Sequence, residues 1–115
     1  MLINLLEETE FVMKQYNKTW EDVKYICGNE FSISKENFID VAKETDYDNG
    51  FGGQEIAYDL KIVGKNWWLE RSEYDGSEWW IFKTYPIPPT LTCKVKKLSS
   101  ENLWCNLNEI MMENI

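Results

Sequence analysis

The order of apolar and polar positions predicts three helices in the first part of the chain. Apolar residues recur at helical spacing over residues 3–16, with acidic side chains between them, so we expect a helix there. Residues 19–22 resemble a capping box, and the apolar positions after them predict a second, short helix that ends at Gly28. Ser34 is a suitable N-cap for a third helix over residues 35–44.

After residue 54 apolar residues alternate with polar ones, which is typical of strands. The alternation predicts a strand over residues 55–63, and two aromatic-rich runs predict further strands over 67–72 and 79–84. Between those two runs, the Tyr-Asp-Gly-Ser sequence at 74–77 is a hairpin signal. We therefore expect a three-stranded antiparallel meander, with one more short strand over residues 31–33.

The remaining segments contain breakers of regular structure. Three glycines lie close together in the segment 46–53, which we expect to be an irregular connector. Three prolines stop the sheet after residue 85, and alternation over 91–96 predicts a short edge strand. A last helix over 101–113 is expected to begin at Ser99 or Ser100.

Together these elements predict an α+β fold, a three- to four-stranded antiparallel meander packed with about four helices. The chain has 115 residues, so we expect residues 1–115 to form a single domain that needs no disulfide or metal. Cys27, Cys93 and Cys105 are odd in number and widely spaced, which predicts buried free thiols in a reducing cytosol. The apolar N-terminal patch is too short for a signal peptide or a membrane span, so we expect a soluble cytoplasmic protein.

Four tryptophans lie in the two central strands, and adjacent residues of a strand point to opposite faces. Each face of the hairpin therefore carries one tryptophan from each strand. The face with Trp67, Leu69 and Arg71 is the better candidate for the core. The face with Trp68 and Glu70 is expected to be half exposed, unless helices cover the sheet on both sides.

The turn of this hairpin leaves two registers open. A two-residue turn, Asp75-Gly76, sets Glu73 opposite Glu78, which is slightly unfavourable. A three-residue turn that begins at Tyr74 relieves the repulsion through a bulge at Gly76. We favour the three-residue turn slightly.

Composition excludes several kinds of chemistry. Histidine is absent, so Ser-His-Asp and Cys-His catalysis are excluded and the most frequent metal ligand is missing. The 20 acidic and 12 basic side chains give a net charge of -8, which repels nucleic acid and anionic membranes and suits a basic partner protein. We therefore expect no cofactor, no metal, no direct nucleic-acid binding and no membrane contact.

One catalytic alternative remains open. Asp48, followed by Asp59 and Lys61, has the outline of a metal-dependent nuclease site. Two carboxylates could hold Mg²⁺, and a lysine could assist the attacking water. The net charge opposes the approach of DNA to such a site.

The middle of the chain carries a distinctive series of motifs. They are Asp48-Asn49-Gly50-Phe51-Gly52-Gly53-Gln54-Glu55-Ile56, Asp59-Leu60, Val63-Gly64, Trp67-Trp68-Leu69-Glu70-Arg71 and Glu73-Tyr74-Asp75-Gly76-Ser77-Glu78-Trp79-Trp80. This part of the chain resembles small uncharacterised proteins that bacteriophages and prophages of low-GC bacteria encode. The resemblance implies a phage accessory protein in the cytoplasm of a host bacterium, and small acidic phage proteins often act by occupying a host protein.

These observations predict a non-catalytic accessory protein that binds a host or phage protein with a basic surface. A CRISPR or restriction nuclease that the protein inhibits would be such a partner. The alternatives are the metal-dependent nuclease and a minor structural or assembly component of a phage. An exposed tryptophan beside polar groups is a common binding anchor. The residues expected to contact the partner are Trp68, Trp79, Glu70, Glu73, Asp75 and Glu78.

Overall fold

The computed structural model describes residues 2–113, and the chain divides into two compact units, Met1–Tyr85 and Pro86–Ile115. Among the described residues, the first unit contains seven strands, two α-helices and one 3-10 turn. In chain order they are β1 (Leu2–Asn4), α1 (Leu5–Gln15), the 3-10 turn (Trp20–Asp22), β2 (Tyr25–Cys27), β3 (Ser32–Ile33), α2 (Lys35–Ala42), β4 (Asp46–Asp48), β5 (Lys61–Val63), β6 (Trp67–Tyr74) and β7 (Ser77–Thr84). The second unit contains the helix α3 (Leu107–Met112).

The strands of the first unit form two antiparallel sheets. β1 pairs with β4, and the other five strands pair in the order β3-β2-β5-β6-β7. The predicted α+β class and the central meander β5-β6-β7 are confirmed, as are the helices α1 and α2 and the strand β3. The sheet has five strands, however, and the described part of the chain has three α-helices instead of about four.

The predicted second helix is wrong, because the chain after the 3-10 turn is a strand of the main sheet. The turn closes as a capping box, in which the Thr19 amide donates to Asp22 Oδ2 at 2.8 Å. The Lys24 amide then donates to the Val63 carbonyl at 2.8 Å, which draws the chain onto β5. Strand β2 is hydrogen-bonded on both sides, so ladder formation outweighs its local helical pattern.

Two more predictions fail in the segment between α2 and β5. The glycine-rich segment is not irregular throughout, since residues 46–48 form β4 and bury the Tyr47 ring at 2% exposure. The strand predicted over 55–63 is limited to Lys61–Val63. Its earlier part cannot join a ladder, because the amides of Glu55 and Ile56 donate to the carboxylate of Glu78.

The second unit also differs from the prediction. Residues 91–96 form no strand, and the helix α3 is shorter than 101–113. The cysteines are free as predicted, but the expected burial is wrong, since Cys93 is exposed and the other two are half-buried. Asn106 caps α3 by accepting from the Glu109 amide at 2.8 Å. Ser100 does not begin a helix, because its hydroxyl accepts from the Asn102 amide and donates to Glu113.

The hairpin adopts the two-residue turn and not the favoured three-residue one. Asp75 and Gly76 have φ angles of 51° and 86°, the left-handed pair that a tight hairpin turn requires. A side chain at Gly76 would place its Cβ 2.8 Å from the Gly52 carbonyl oxygen. Both the positive φ angle and this close approach therefore favour glycine at position 76. Glu73 does face Glu78, but Glu73 accepts from the Gly76 amide while Glu78 points into the core.

One face of the five-stranded sheet, here called the inner face, packs against α1 and α2. Trp67 and Trp80 are each 4% exposed, and Ile26, Ile62 and Leu69 are completely buried. The core also includes helix residues, among them Leu5, Met13, Phe38 and Ala42. The prediction that Trp67, Leu69 and Arg71 share the core face is therefore confirmed.

Two opposite charges lie on this inner face. Arg71 on β6 is 6% exposed and Glu78 on β7 is 1% exposed. Their side chains form an ion pair with 2.7 Å between Arg71 Nη2 and Glu78 Oε1. The Glu55 amide donates to the other carboxylate oxygen at 2.5 Å, so Glu78 also anchors the connector before β5. A buried charge is tolerated only when it is paired and hydrogen-bonded in this way.

The pair extends to α1 and β4 through shared atoms. Arg71 Nη2 donates to the Tyr47 hydroxyl at 2.9 Å, and that hydroxyl donates to Glu8 at 2.5 Å. Glu8 lies 3.5 Å from Arg71 Nη1 as a second anionic partner. Burial, followed by the bond to the Glu8 carboxylate, raises the pKa of the Tyr47 phenol above its ordinary range, so the hydroxyl stays protonated as a donor.

Aromatic rings complete the surroundings of the guanidinium. Arg71 Cζ lies 4.7 Å from the centre of the Trp80 ring and 5.6 Å from the centre of the Tyr47 ring. These π faces lie near the buried Arg71 Nε and Nη1, which make no hydrogen bond among the described residues. The Trp80 indole donates to Thr9 on α1 at 2.9 Å, which fixes the ring above the charge.

We expect Arg71→Met to lower the free energy of unfolding by about 3–5 kcal/mol, because two carboxylates then lose their buried cation. Adding Glu78→Gln to this variant should recover part of the loss, since the amide oxygen still accepts from the backbone and carries no charge. Urea unfolding at neutral pH measures both changes. The control is Lys83→Met, which breaks the exposed pair of Lys83 with Glu70 and should cost less than about 1 kcal/mol. Equal losses for the two single variants would contradict this account.

Candidate functional site

The opposite side of the five-stranded sheet, here called the outer face, is the strongest candidate for a functional surface. Its side chains follow from the strand register. They are Tyr25, Cys27, Ser32, Lys61, Val63, Trp68, Glu70, Ser72, Tyr74, Ser77, Trp79, Ile81 and Lys83. None of them belongs to the core that the sheet forms with α1 and α2.

Both predicted tryptophan anchors lie on this face. Trp79 is 38% exposed and Trp68 is half-buried, whereas Trp67 and Trp80 point to the inner face. The prediction of a half-exposed face that mixes tryptophan with polar groups is confirmed. Within the first unit the helices pack on the inner face alone, so the outer tryptophans are not part of its core.

Aromatic side chains on three segments form a shallow groove on the outer face. The Tyr85 ring lies 5.1 Å from that of Trp68 with a 56° tilt, and Val63 stands between Trp68 and Tyr25 in the strand register. The groove has a volume of about 360 Å³ and is completed by Lys61 and Glu70. Such a surface offers flat apolar contact with a few polar groups at its margin.

Glu70 is held in place by Trp68 on its own strand and by Lys83 on β7. The Trp68 indole donates to Glu70 Oε1 at 2.7 Å, and Lys83 lies 3.4 Å from Oε2. The indole hydrogen bond, followed by the charge of Lys83, holds the pKa of the Glu70 carboxyl below its ordinary value. Glu70 therefore orients the tryptophan ring and is not an unpaired acid on the surface.

The other acids predicted as partner contacts do not form one surface. Glu73 is exposed but accepts from the backbone of the hairpin turn, where Asp75 holds a left-handed conformation. Glu78 is buried in its pair with Arg71, so it cannot contact a partner in this structure. The strand alternation already placed Glu78 on the same face as Trp80, and that signal indicated burial.

Several outer-face residues were missed by the sequence analysis. Tyr25 was assigned to a helix, and its position emerged only when β2 paired with β5. Tyr85 follows the end of β7, where strand alternation no longer indicates the direction of a side chain. Lys61 and Val63 lay in a predicted strand whose neighbours were unknown, so they could not be placed beside Trp68.

A larger depression of about 830 Å³ lies beside α1 and β1. It is wide and its lining is mixed, with exposed Leu2 and Phe11 next to charged groups. Asn4 lines the depression, but its side-chain amide already donates to the Lys43 carbonyl and to Asp46. We regard the smaller aromatic groove as the better site, since aromatic anchors dominate binding energy at protein interfaces.

The residues of the nuclease alternative have structural partners. Asp48, at the end of β4, accepts a hydrogen bond from the Gly50 amide, and Asp59 accepts one from the Asn29 amide. Lys61 lies on the outer face of β5. Within residues 2–113, no group of three or more Asp, Glu, Cys or His side chains is placed to hold a metal ion.

We expect NMR titration to give a pKa below 4.5 for the Glu70 carboxyl, and Trp68→Phe to raise it by removing the indole donor. Because this pKa is depressed in the folded state, the contribution of Glu70 to stability is present above about pH 4.5 and is lost as the pH falls through the folded value. Trp79→Phe is the control and should leave the pKa of Glu70 unchanged. An unshifted wild-type value would refute the arrangement.

Within residues 2–113, no helix has the length and apolar character needed to cross a membrane. Comparison of the chain with protein-family models, with curated proteins and with solved structures finds no match. The resemblance to phage and prophage proteins therefore stays a prediction, and so does the expectation that residues 1–115 act as a single domain.

Proposed function

We propose that this protein is a non-catalytic binding protein whose outer sheet face contacts another protein. The observation that carries the proposal is the aromatic groove around Trp68, together with the exposed edge of Trp79 on the same face. Tryptophan and tyrosine provide large contact areas with little loss of side-chain entropy, which makes them frequent anchors of interfaces.

The distribution of charge refines the kind of partner. Residues 1–85 contain 17 acidic and 9 basic side chains, which account for the whole net charge of -8. The strand residues of the outer face nevertheless include two lysines and one glutamate. The contact region is therefore apolar and close to neutral, and acidic groups lie outside it. A partner would meet the groove with apolar side chains and meet the surrounding acids with basic ones.

This charge pattern favours a protein over a nucleic acid as the partner. Single-stranded nucleic acid needs a basic groove along its phosphates besides aromatic platforms, and two lysines do not supply one. The resemblance to phage accessory proteins supports a host or phage protein in the bacterial cytoplasm. A CRISPR or restriction nuclease has the basic nucleic-acid surface that the acidic surroundings of the groove complement.

The test begins with affinity capture from bacterial lysate and continues with the purified partner. We expect Trp79→Ala to weaken binding about 30-fold, which corresponds to about 2 kcal/mol for the loss of an anchor. Trp68→Ala should act in the same direction. The matched control is Phe11→Ala, which removes a 64% exposed ring from the depression beside α1 and should leave the affinity unchanged.

Calorimetry or surface plasmon resonance gives the dissociation constants, and thermal unfolding confirms that each variant is folded. A partner that binds the two tryptophan variants as tightly as the wild type would refute the outer face as the site. A nuclease assay with the captured partner then distinguishes inhibition from simple binding.

A further inference from the structure

The last strand of the sheet, β7, has one edge that pairs with no other strand. One hydrogen bond establishes which of its residues point their backbone groups toward that edge. β7 pairs with β6 on one side only and ends the strand order. The Glu78 amide donates to the Asn49 carbonyl at 2.8 Å, so the backbone groups of Glu78 point away from β6. Because these groups alternate along a strand, those of Trp80, Phe82 and Thr84 also point outward.

These three outward positions make no backbone hydrogen bond among the described residues. Natural sheets usually protect such an edge with a charge, a proline or a bulge. β7 carries charges at Glu78, whose outward amide is already bonded to Asn49, and at Lys83, so the stretch Trp79–Phe82 between them has no such protection. The opposite edge of the sheet, β3, has only two residues. The outward backbone groups of Trp80, Phe82 and Thr84 can therefore accept another strand.

We propose that β7 pairs with β7 of a second copy, in antiparallel orientation, about a two-fold axis at Phe82. Outward residues must face outward residues for hydrogen bonds to form across such an edge. In this register Phe82 faces Phe82, and Trp80 of each copy faces Thr84 of the other. All three unbonded positions of each copy then meet unbonded positions, whereas an axis at Trp80 would require the Glu78 amide, which Asn49 already uses.

The outer-face side chains and the symmetry agree with this register. On the outer face Ile81 of one copy faces Lys83 of the other, so no like charges are opposed. The same edge is used by both copies, which closes the assembly at a dimer, since the strands described for residues 2–113 include no second long edge for growth. An isologous contact needs only the groups that this chain already presents, and for that reason we choose a second copy over a strand from another protein.

The net charge of -8 opposes the association of two copies. Two such copies repel each other, and backbone pairing must overcome the repulsion. Added salt screens the repulsion, so the dimer should become stronger as ionic strength rises. A contact driven by opposite charges would become weaker. This inference is independent of the proposed function, because it concerns the edge of β7 and needs no partner protein.

Sedimentation equilibrium over a wide concentration range, at low and at high salt, tests the dimer directly. We expect a reversible monomer–dimer equilibrium that shifts to dimer with salt. Ile81→Lys should weaken it about tenfold, since two pairs of lysines would then oppose each other across the axis. The substitution faces Glu70 within its own chain, so the monomer should remain folded. The control is Ser72→Lys, on the same face but on β6, which should leave the equilibrium unchanged.

Thr84 offers a second test that acts on the backbone alone. Thr84→Pro removes an outward amide and leaves the ladder to β6 intact, whereas Thr84→Val keeps the amide and is the matched control. The proline variant should weaken the dimer and the valine variant should not. Amide exchange by NMR should show protection at Trp80, Phe82 and Thr84 that increases with protein concentration.

A protein that stays monomeric at all concentrations and salt levels would overturn the proposal. So would a dimer that Ile81→Lys and Thr84→Pro leave unchanged, because its contact would lie elsewhere. A dimer that weakens with salt would show that opposite charges drive the association, and would also overturn it.

Discussion

The first unit depends on the burial of one guanidinium group. Arg71 has a completely buried side chain, and its charge must be balanced inside the core. Glu78 supplies the nearest balancing charge, so β7 must turn that residue inward. Strand alternation then sends Trp80 inward beside it and Trp79 outward, while Arg71 itself leaves Trp68 on the outer side of β6. The position of both outer tryptophans is therefore a consequence of an ion pair on the other side of the sheet.

The same ion pair joins parts of the chain that are distant in sequence. The Glu78 carboxylate accepts hydrogen bonds from two backbone amides of the connector before β5. Arg71 is linked to β4 by its hydrogen bond to Tyr47, and Tyr47 in turn donates to Glu8 on α1. Polar atoms that are shared in this way hold loops and helices to the sheet with directional bonds. The apolar core supplies most of the driving force, while the charged network specifies which elements meet.

Elements with strong local signals could be predicted from the sequence. Ser34 does cap α2, and the doubled tryptophans did reveal which faces of the hairpin lie inside and outside. Elements defined by distant partners could not be predicted: β2 has a helical pattern but pairs with β5, and β4 exists because β1 lies beside it. The hairpin register was missed for a related reason. The apparent repulsion between Glu73 and Glu78 disappears once Glu78 has a buried cation, which no local pattern shows.

The alternation of tryptophans also gives the protein two separate optical reporters. Trp67 and Trp80 are enclosed by the core, and Trp80 lies against a cation, whereas Trp68 and Trp79 meet solvent. The chain also contains Trp20, which is partly buried, and Trp104, which is 98% exposed. When these two are replaced by phenylalanine, a neutral collisional quencher reaches Trp68 and Trp79 and leaves Trp67 and Trp80 unquenched. The long-wavelength emission then reports contact at the surface, and the short-wavelength emission reports the integrity of the interior.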